Sequence, residues 1–177
     1  MNKQEIARRL VESHEKLAAL TGGLDEREFS LSTAGKWMAG QQLEHILRGV
    51  SAVLTGLGLP KFVPRLLFGK SGRASRDFET VVGDYRQRLA AGGRASGRFI
   101  PPPVRFDEGR ALAEKLLGKI GELNRKLEKF SEEELDALRL PHPILGRLTI
   151  REMLYFTIYH ADHHRRATLR NLGRDDE

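Results

Sequence analysis

An all-α four-helix bundle, with a long crossover connection between its second and third helices, is the fold class that this sequence predicts. Three observations predict it. Four long segments carry apolar residues at helical spacing. No alternating apolar and polar segment of useful strand length stands between them. A stretch of different composition, residues 60–105, separates the second segment from the third, long enough to return the chain along a bundle.

The first helix is expected from Asn2 to Leu20. Asn2 suits an N-cap, Ile6, Leu10, Leu17 and Leu20 recur on one side, and Gly22-Gly23 ends the pattern. The second helix is expected over about Ala39 to Leu57. Leu43, Ile46, Leu47, Val50, Val53 and Leu54 form its apolar face, and Pro60 closes it. Within the crossover, Phe78, Val81, Val82, Tyr85 and Leu89 fit a short helix from Asp77 to Ala91. The remainder is rich in Gly, Ser, Arg and Pro and reads as a long connection, ending in the extended Pro101-Pro102-Pro103. The third helix is expected from Asp107 to Phe130, with Leu112, Leu116, Ile120, Leu123, Leu127 and Phe130 in one stripe. Ser131 caps a short acidic turn. The fourth helix is expected from Thr149 to Leu172, with Thr149 and Glu152 at capping-box spacing and Gly173 as the stop.

Length and composition limit the function classes. A chain of 177 residues fits one domain, expected here to span 1–177, and is long enough to bury a core without covalent staples. With no cysteine, disulfides, thiolate nucleophiles and zinc–thiolate sites are excluded. The charged start lacks the apolar core of a signal peptide. The longest charge-free stretch, Gly49 to Pro60, is too short to span a bilayer. A soluble cytoplasmic protein without membrane partners is expected. The formal charge of +6 is concentrated in one place: residues 61–98 hold nine basic side chains against Asp77, Glu79 and Asp84. That segment has three readings. It is a solvated loop, a lid that draws anionic substrates to a pocket, or a nucleic-acid surface. No helix-turn-helix or zinc-finger signature supports the last, so nucleic acid is not expected as a partner.

Three of the six histidines lie between 160 and 164. On a helix, Met153, Thr157, His160, His164 and Ala167 project within a narrow arc, so two imidazoles share a face with core positions. Two His at i and i+4 can offer ring nitrogens to one metal ion, and neutral imidazole suits zinc, nickel, copper or iron. Such pairs also occur on helix surfaces and at basic helix C-termini. A tight site needs a third ligand from another helix. His45 is the best candidate, with Gln42, Gly49 and Val53 near its face, and Gly49 would admit a close neighbour. Three His ligands leave an open coordination position, as in catalytic sites. Asp162 and Glu44 adjoin ligand positions but lie off the ligand face, so orientation through another helix is the most expected of them. His14, at the edge of the first stripe, is read as partly exposed, with a fourth ligand or general base as its functional alternatives. His142 is read as a turn residue, and His163 as a flanking one. Trp37 is read as a core anchor where the second helix begins. Met153 and Phe156 are core residues that would also wall a pocket beside a metal.

Three motifs carry a family resemblance. Trp37-Met38-Ala39-Gly40-Gln41-Gln42-Leu43-Glu44-His45 resembles the Trp-(Ser/Thr)-x-x-(Gln/Glu)-x-x-x-His motif of the DinB/YfiT-like metalloenzyme family. His142-Pro143-Ile144-Leu145-Gly146-Arg147-Leu148-Thr149 looks like the His-Pro-x-x-Gly-x-Leu-Thr turn before the last helix in one branch. His160-Ala161-Asp162-His163-His164-Arg165 resembles the closing His-x-x-x-His-Arg. Their order and spacing cover nearly the whole chain. The resemblance implies a four-helix bundle with a long crossover, often dimeric, and a divalent nickel, zinc or iron ion held by His45, His160 and His164. It also implies transferase or isomerase chemistry with low-molecular-weight thiols, or hydrolysis. A small-molecule substrate is expected, thiol-bearing on the family's chemistry or anionic on the reading of the basic segment as a lid. One departure stands out. The family often has Gly-Gln after His-Arg, where Arg166-Ala167 stands here, so any role of that Gln is missing or moved.

Two functions from different classes follow. One is a metal-dependent enzyme, a transferase or hydrolase, which needs the three histidines to converge. The other is a non-catalytic bundle that binds a partner through the basic segment 61–98.

Overall fold

Asn2, Asp77, Ser131 and Thr149 each precede a helix, and each side-chain oxygen accepts the backbone N–H three residues on. These local bonds satisfy donors that a helix start leaves unpaired. They therefore set the helix boundaries. The computed structural model describes residues 1–33 and 35–174; Ala34 and residues 175–177 of the expected domain lie outside the described residues. The helices are α1 (Lys3–Gly22), α2 (Glu26–Phe29), α3 (Ala39–Gly58), α4 (Phe62–Phe68), α5 (Phe78–Ala90), α6 (Phe106–Leu127), α7 (Glu132–Ala137) and α8 (Ile150–Asn171). A two-stranded antiparallel hairpin, β1 (Arg139–His142) and β2 (Gly146–Thr149), joins α7 to α8.

The four long helices form the bundle. α1 and α3 each pack on both α6 and α8, so α1 lies diagonal to α3. Their directions follow from end-to-end contacts. Lys3 at the start of α1 donates to the Phe130 carbonyl past the end of α6, so these two run antiparallel. Gln41 at the start of α3 reaches the Pro101 carbonyl just before α6, and Lys61 past its end reaches Lys129, so α3 and α6 run parallel. A parallel successor requires a connection that travels the full bundle length, which is the expected crossover. It is more ordered than its composition suggests. It contains α4, the expected helix α5, which packs on α8, and a turn of 3-10 helix at Gly97–Phe99.

The core is the sum of the stripes. Ile6, Leu10 and Leu17 of α1, Leu43, Ile46 and Val50 of α3, and Leu116, Ile120 and Leu123 of α6 are all buried. Truncating any one of these Leu or Ile residues to Ala costs about 2–5 kcal/mol. The close approaches fall elsewhere than expected. An added Cβ at Gly49 would lie 3.8 Å from His160 Nδ1, an ordinary contact. Gly40 and Gly109 are tighter: a Cβ there would come within 2.6–2.8 Å of the Phe29 ring wedged between α3 and α6. No single helix among the described residues is long and apolar enough to cross a membrane. α3 and α4 pass that test only together, as a pair bent by 105°.

α8 is covered on several sides, by α1, α3, α5, α7 and the hairpin. Every residue from Ile150 to Ala161 is buried, Arg151, Glu152, Thr157 and His160 included. Buried polar groups need partners, so this helix collects the molecule's polar chemistry at two points.

Candidate metal centre

His45 on α3 and His160 and His164 on α8 are all buried and converge. His160 Nε2 lies 3.1 Å from His45 Nε2 and 3.0 Å from His164 Nε2. The antiparallel packing of α3 on α8 makes this possible, since the start of α3 meets the end of α8: the Asn171 amide donates to the Trp37 carbonyl at 3.0 Å.

The far side of each outer ring fixes its proton. His45 Nδ1–H donates to the Phe99 carbonyl at 2.7 Å, and His164 Nδ1–H donates to Gln42 Oε1. A neutral ring with its proton on Nδ1 carries a lone pair on Nε2. Two lone pairs are therefore directed toward His160 Nε2. Burial holds His160 and His164 well below the ordinary imidazole pKa, and each is further lowered by neighbouring imidazoles. Burial also lowers His45, opposed by the Phe99 bond and reinforced by the Arg48 charge. The cluster thus holds neutral imidazoles whose lone pairs converge, the donor set that suits a divalent metal.

Aromatic rings hold these imidazoles in place. Phe156 stacks on His160 with centroids 4.6 Å apart, and Trp37 lies nearly parallel to His164 at 6.1 Å. Tyr85 of α5 meets His160 and His163 edge-on. The centre opens into a cavity of about 1040 Å³ between α3, α8, the hairpin and the crossover. Met153 and Phe156 wall it, as expected from their place beside the histidines.

Other expectations shift. Trp37 is half-buried against the histidine rings, not a core anchor. His142 is the last residue of β1 and not in the turn itself; its Nδ1 accepts the N–H groups of Ile144 and Leu145 in the turn, and its ring packs 4.2 Å from Phe156 and lines the cavity. His163 lines it too. Burial is the first cause that lowers both to about 4. His14 is not partly exposed. It is wholly buried, bonded through Nδ1 to the Leu10 carbonyl, with no partner at Nε2, and it is not part of the three-histidine group. Glu44 pairs with Arg48, and Asp162 with Arg165 and Arg166, so neither carboxylate orients a histidine. Gln42 and a main-chain carbonyl do that instead. Gln42 was legible as the residue one turn before His45 on the same face. The Phe99 carbonyl carries no side-chain signal.

Residues 9–167 of the chain match the family model of the DinB superfamily. No curated protein matches the sequence. No solved structure matches it either.

Proposed function

The chain belongs to the DinB superfamily, and from that premise we propose that it is a metal-dependent enzyme, a transferase or hydrolase acting on a small molecule, with His45, His160 and His164 as ligands to a nickel, zinc or iron ion. One observation carries the reading: the three Nε2 atoms converge while the outer two rings are held at Nδ1 by acceptors. Such an ion supplies Lewis-acid activation of a coordinated water or thiol. The chain's own residues do the rest. Phe99 and Gln42 keep the Nδ1 protons on the outer side, Phe156 and Trp37 fix the ring planes, and burial keeps the ligands uncharged. His142, with Nδ1 accepting backbone bonds, offers its Nε2–H as a donor from the cavity wall. The chain has no cysteine, so any thiol in the reaction arrives with a substrate.

The partner-binding alternative has less support. In the basic segment, Arg73 and Arg76 are committed to Glu152, Arg86 to the Tyr159 hydroxyl, and Lys61 to Glu134.

Elemental analysis of tag-free protein, purified without chelator, tests the proposal. A stoichiometric first-row metal is expected, lost in the His160→Ala, His164→Ala double variant. Protein that takes up no metal after reconstitution with nickel, zinc or iron would sink it. A metal retained by the double variant would move the site elsewhere.

A further inference from the structure

The cavity that opens from the imidazoles is polarised. Its lining contains no Asp or Glu, and its charged residues are Lys36, Arg94, Arg98 and Arg170. Among the described residues none of these four forms an ion pair. Arg94 donates only to the Leu89 and Gly93 carbonyls, and the Arg98 guanidinium lies over the Phe99 ring at 5.2 Å. Among the described residues no carboxylate pairs with them.

Three of the four are chain neighbours of residues at the imidazole end. Lys36 precedes Trp37, whose ring lies against His164. Arg98 precedes Phe99, whose carbonyl holds His45. Arg170 precedes Asn171, which bonds the Trp37 carbonyl. Away from the imidazoles, toward the end of α3 and the start of α8, the lining changes to Val53, Gly56, Leu59, Phe68, Leu140 and Met153. Leu140 presses on α3 there, 3.0 Å from where a Gly56 Cβ would lie.

We propose that the cavity binds an amphipathic anion, with a carboxylate-type head among Lys36, Arg98 and Arg170 and an alkyl or aryl body extending toward Leu140 and Met153. The inference rests on reading the imidazole end as the reaction centre, and it names the substrate class for that centre. Guanidinium groups without carboxylate partners favour an anion through charge-assisted, often bidentate bonds. They disfavour a cation by repulsion. The apolar half rewards chain length, because each buried methylene strengthens binding about threefold to fourfold.

Trp37 is the chain's one tryptophan and lies in this cavity, so its emission reports occupancy. The probes are hexanoate, octanoate and decanoate, with decanol and decyltrimethylammonium as uncharged and cationic controls. Each is titrated into metal-loaded and metal-stripped protein, and into the Arg98→Gln, Arg170→Gln double variant. Decanoate is expected to bind about tenfold or more tighter than decyltrimethylammonium, a gap of about 1.4 kcal/mol. Affinity should rise from hexanoate to decanoate. The double variant should lose the charge preference and keep the chain-length dependence. Equal binding of the cation, affinity flat with chain length, or a preference unchanged in the double variant would each overturn the assignment. The two readings fail separately. A preference that persists in protein unable to take up metal retains the anion site and sinks the metal centre; stoichiometric metal without the preference does the reverse.

Discussion

α8 carries two buried polar clusters, one at each end, built on opposite principles. At its start, Glu152 is fully buried and saturated. Its carboxylate accepts two bonds from Arg73, two side-chain bonds and a backbone bond from Arg76, and the Thr149 N–H. These bonds, opposed by burial, hold its pKa down to about 2. Toward the other end, His160 and His164 are also buried, yet the cluster they form with His45 has acceptors behind it and lone pairs in front. The first cluster leaves nothing for a ligand to do. The second is incomplete without a proton or a cation between its rings. Burial of polar groups marks both; the direction of the spare lone pairs separates an anchor from a centre.

The comparison breaks most visibly if the anchor is cut. Glu152→Ala removes the buried acceptor of Arg73, Arg76 and the Thr149 N–H, while Arg73 keeps solvent and Arg76 keeps Asp84, and should cost about 1–3 kcal/mol in urea denaturation. Metal stoichiometry in the folded protein should remain intact. Joint loss of stability and metal binding would mean that the two clusters act as one unit.

A third buried imidazole sharpens the contrast through pH. His14 has neither a saturating partner set nor a facing ligand group, and burial lowers it to about 4. The unfolded chain takes up this proton below the ordinary value of 6.5, while the folded chain stays neutral down to about 4. Stability is therefore full above 6.5 and falls as the pH drops toward 4, by about 1.4 kcal/mol per pH unit for each such proton. His142 and His163 add the same sign. His14→Leu should remove one proton's share of the slope in metal-free protein. An unchanged slope would mean that His14 already titrates normally in the folded chain.

Smaller effects test the centre itself. Gln42→Ala removes the acceptor behind His164 and should weaken metal affinity by about 10–100-fold, read by competition with a chromophoric chelator. Its effect on stability should be near 1 kcal/mol. Gly49→Ala adds a methyl at ordinary contact distance from His160 and should raise stability by about 0.5–1 kcal/mol, the usual gain of Ala over Gly inside a helix. A large loss there would show that the centre tolerates no approach from α3.

The sequence was most legible where chemistry is local. The helices expected from Asn2, Asp77 and Thr149 begin one residue after those caps, and Gly23 and Gly173 follow the ends of α1 and α8. The three histidines were legible because spacing on a helix translates into a face. The hairpin was hidden, since β1 is four residues long, contains Pro141 and shows no alternation. α4 was hidden for the opposite reason: Phe62, Leu66 and Leu67 are apolar yet exposed, so periodicity could not track burial. His14 misled because its position at the stripe's edge says nothing of how deeply α6 and α8 enclose α1.

The Phe99 carbonyl that positions His45 belongs to the backbone, so no exchange of side chain at 99 can delete it directly. What can displace it is a residue inserted or removed between Ala91 and Arg98, which would shift the carbonyl along the chain path and hand His45 a different neighbour. The tautomer of a ligand histidine on α3 is in this sense written in the spelling length of a distant loop, where an alignment scored by residue type alone would register only a gap.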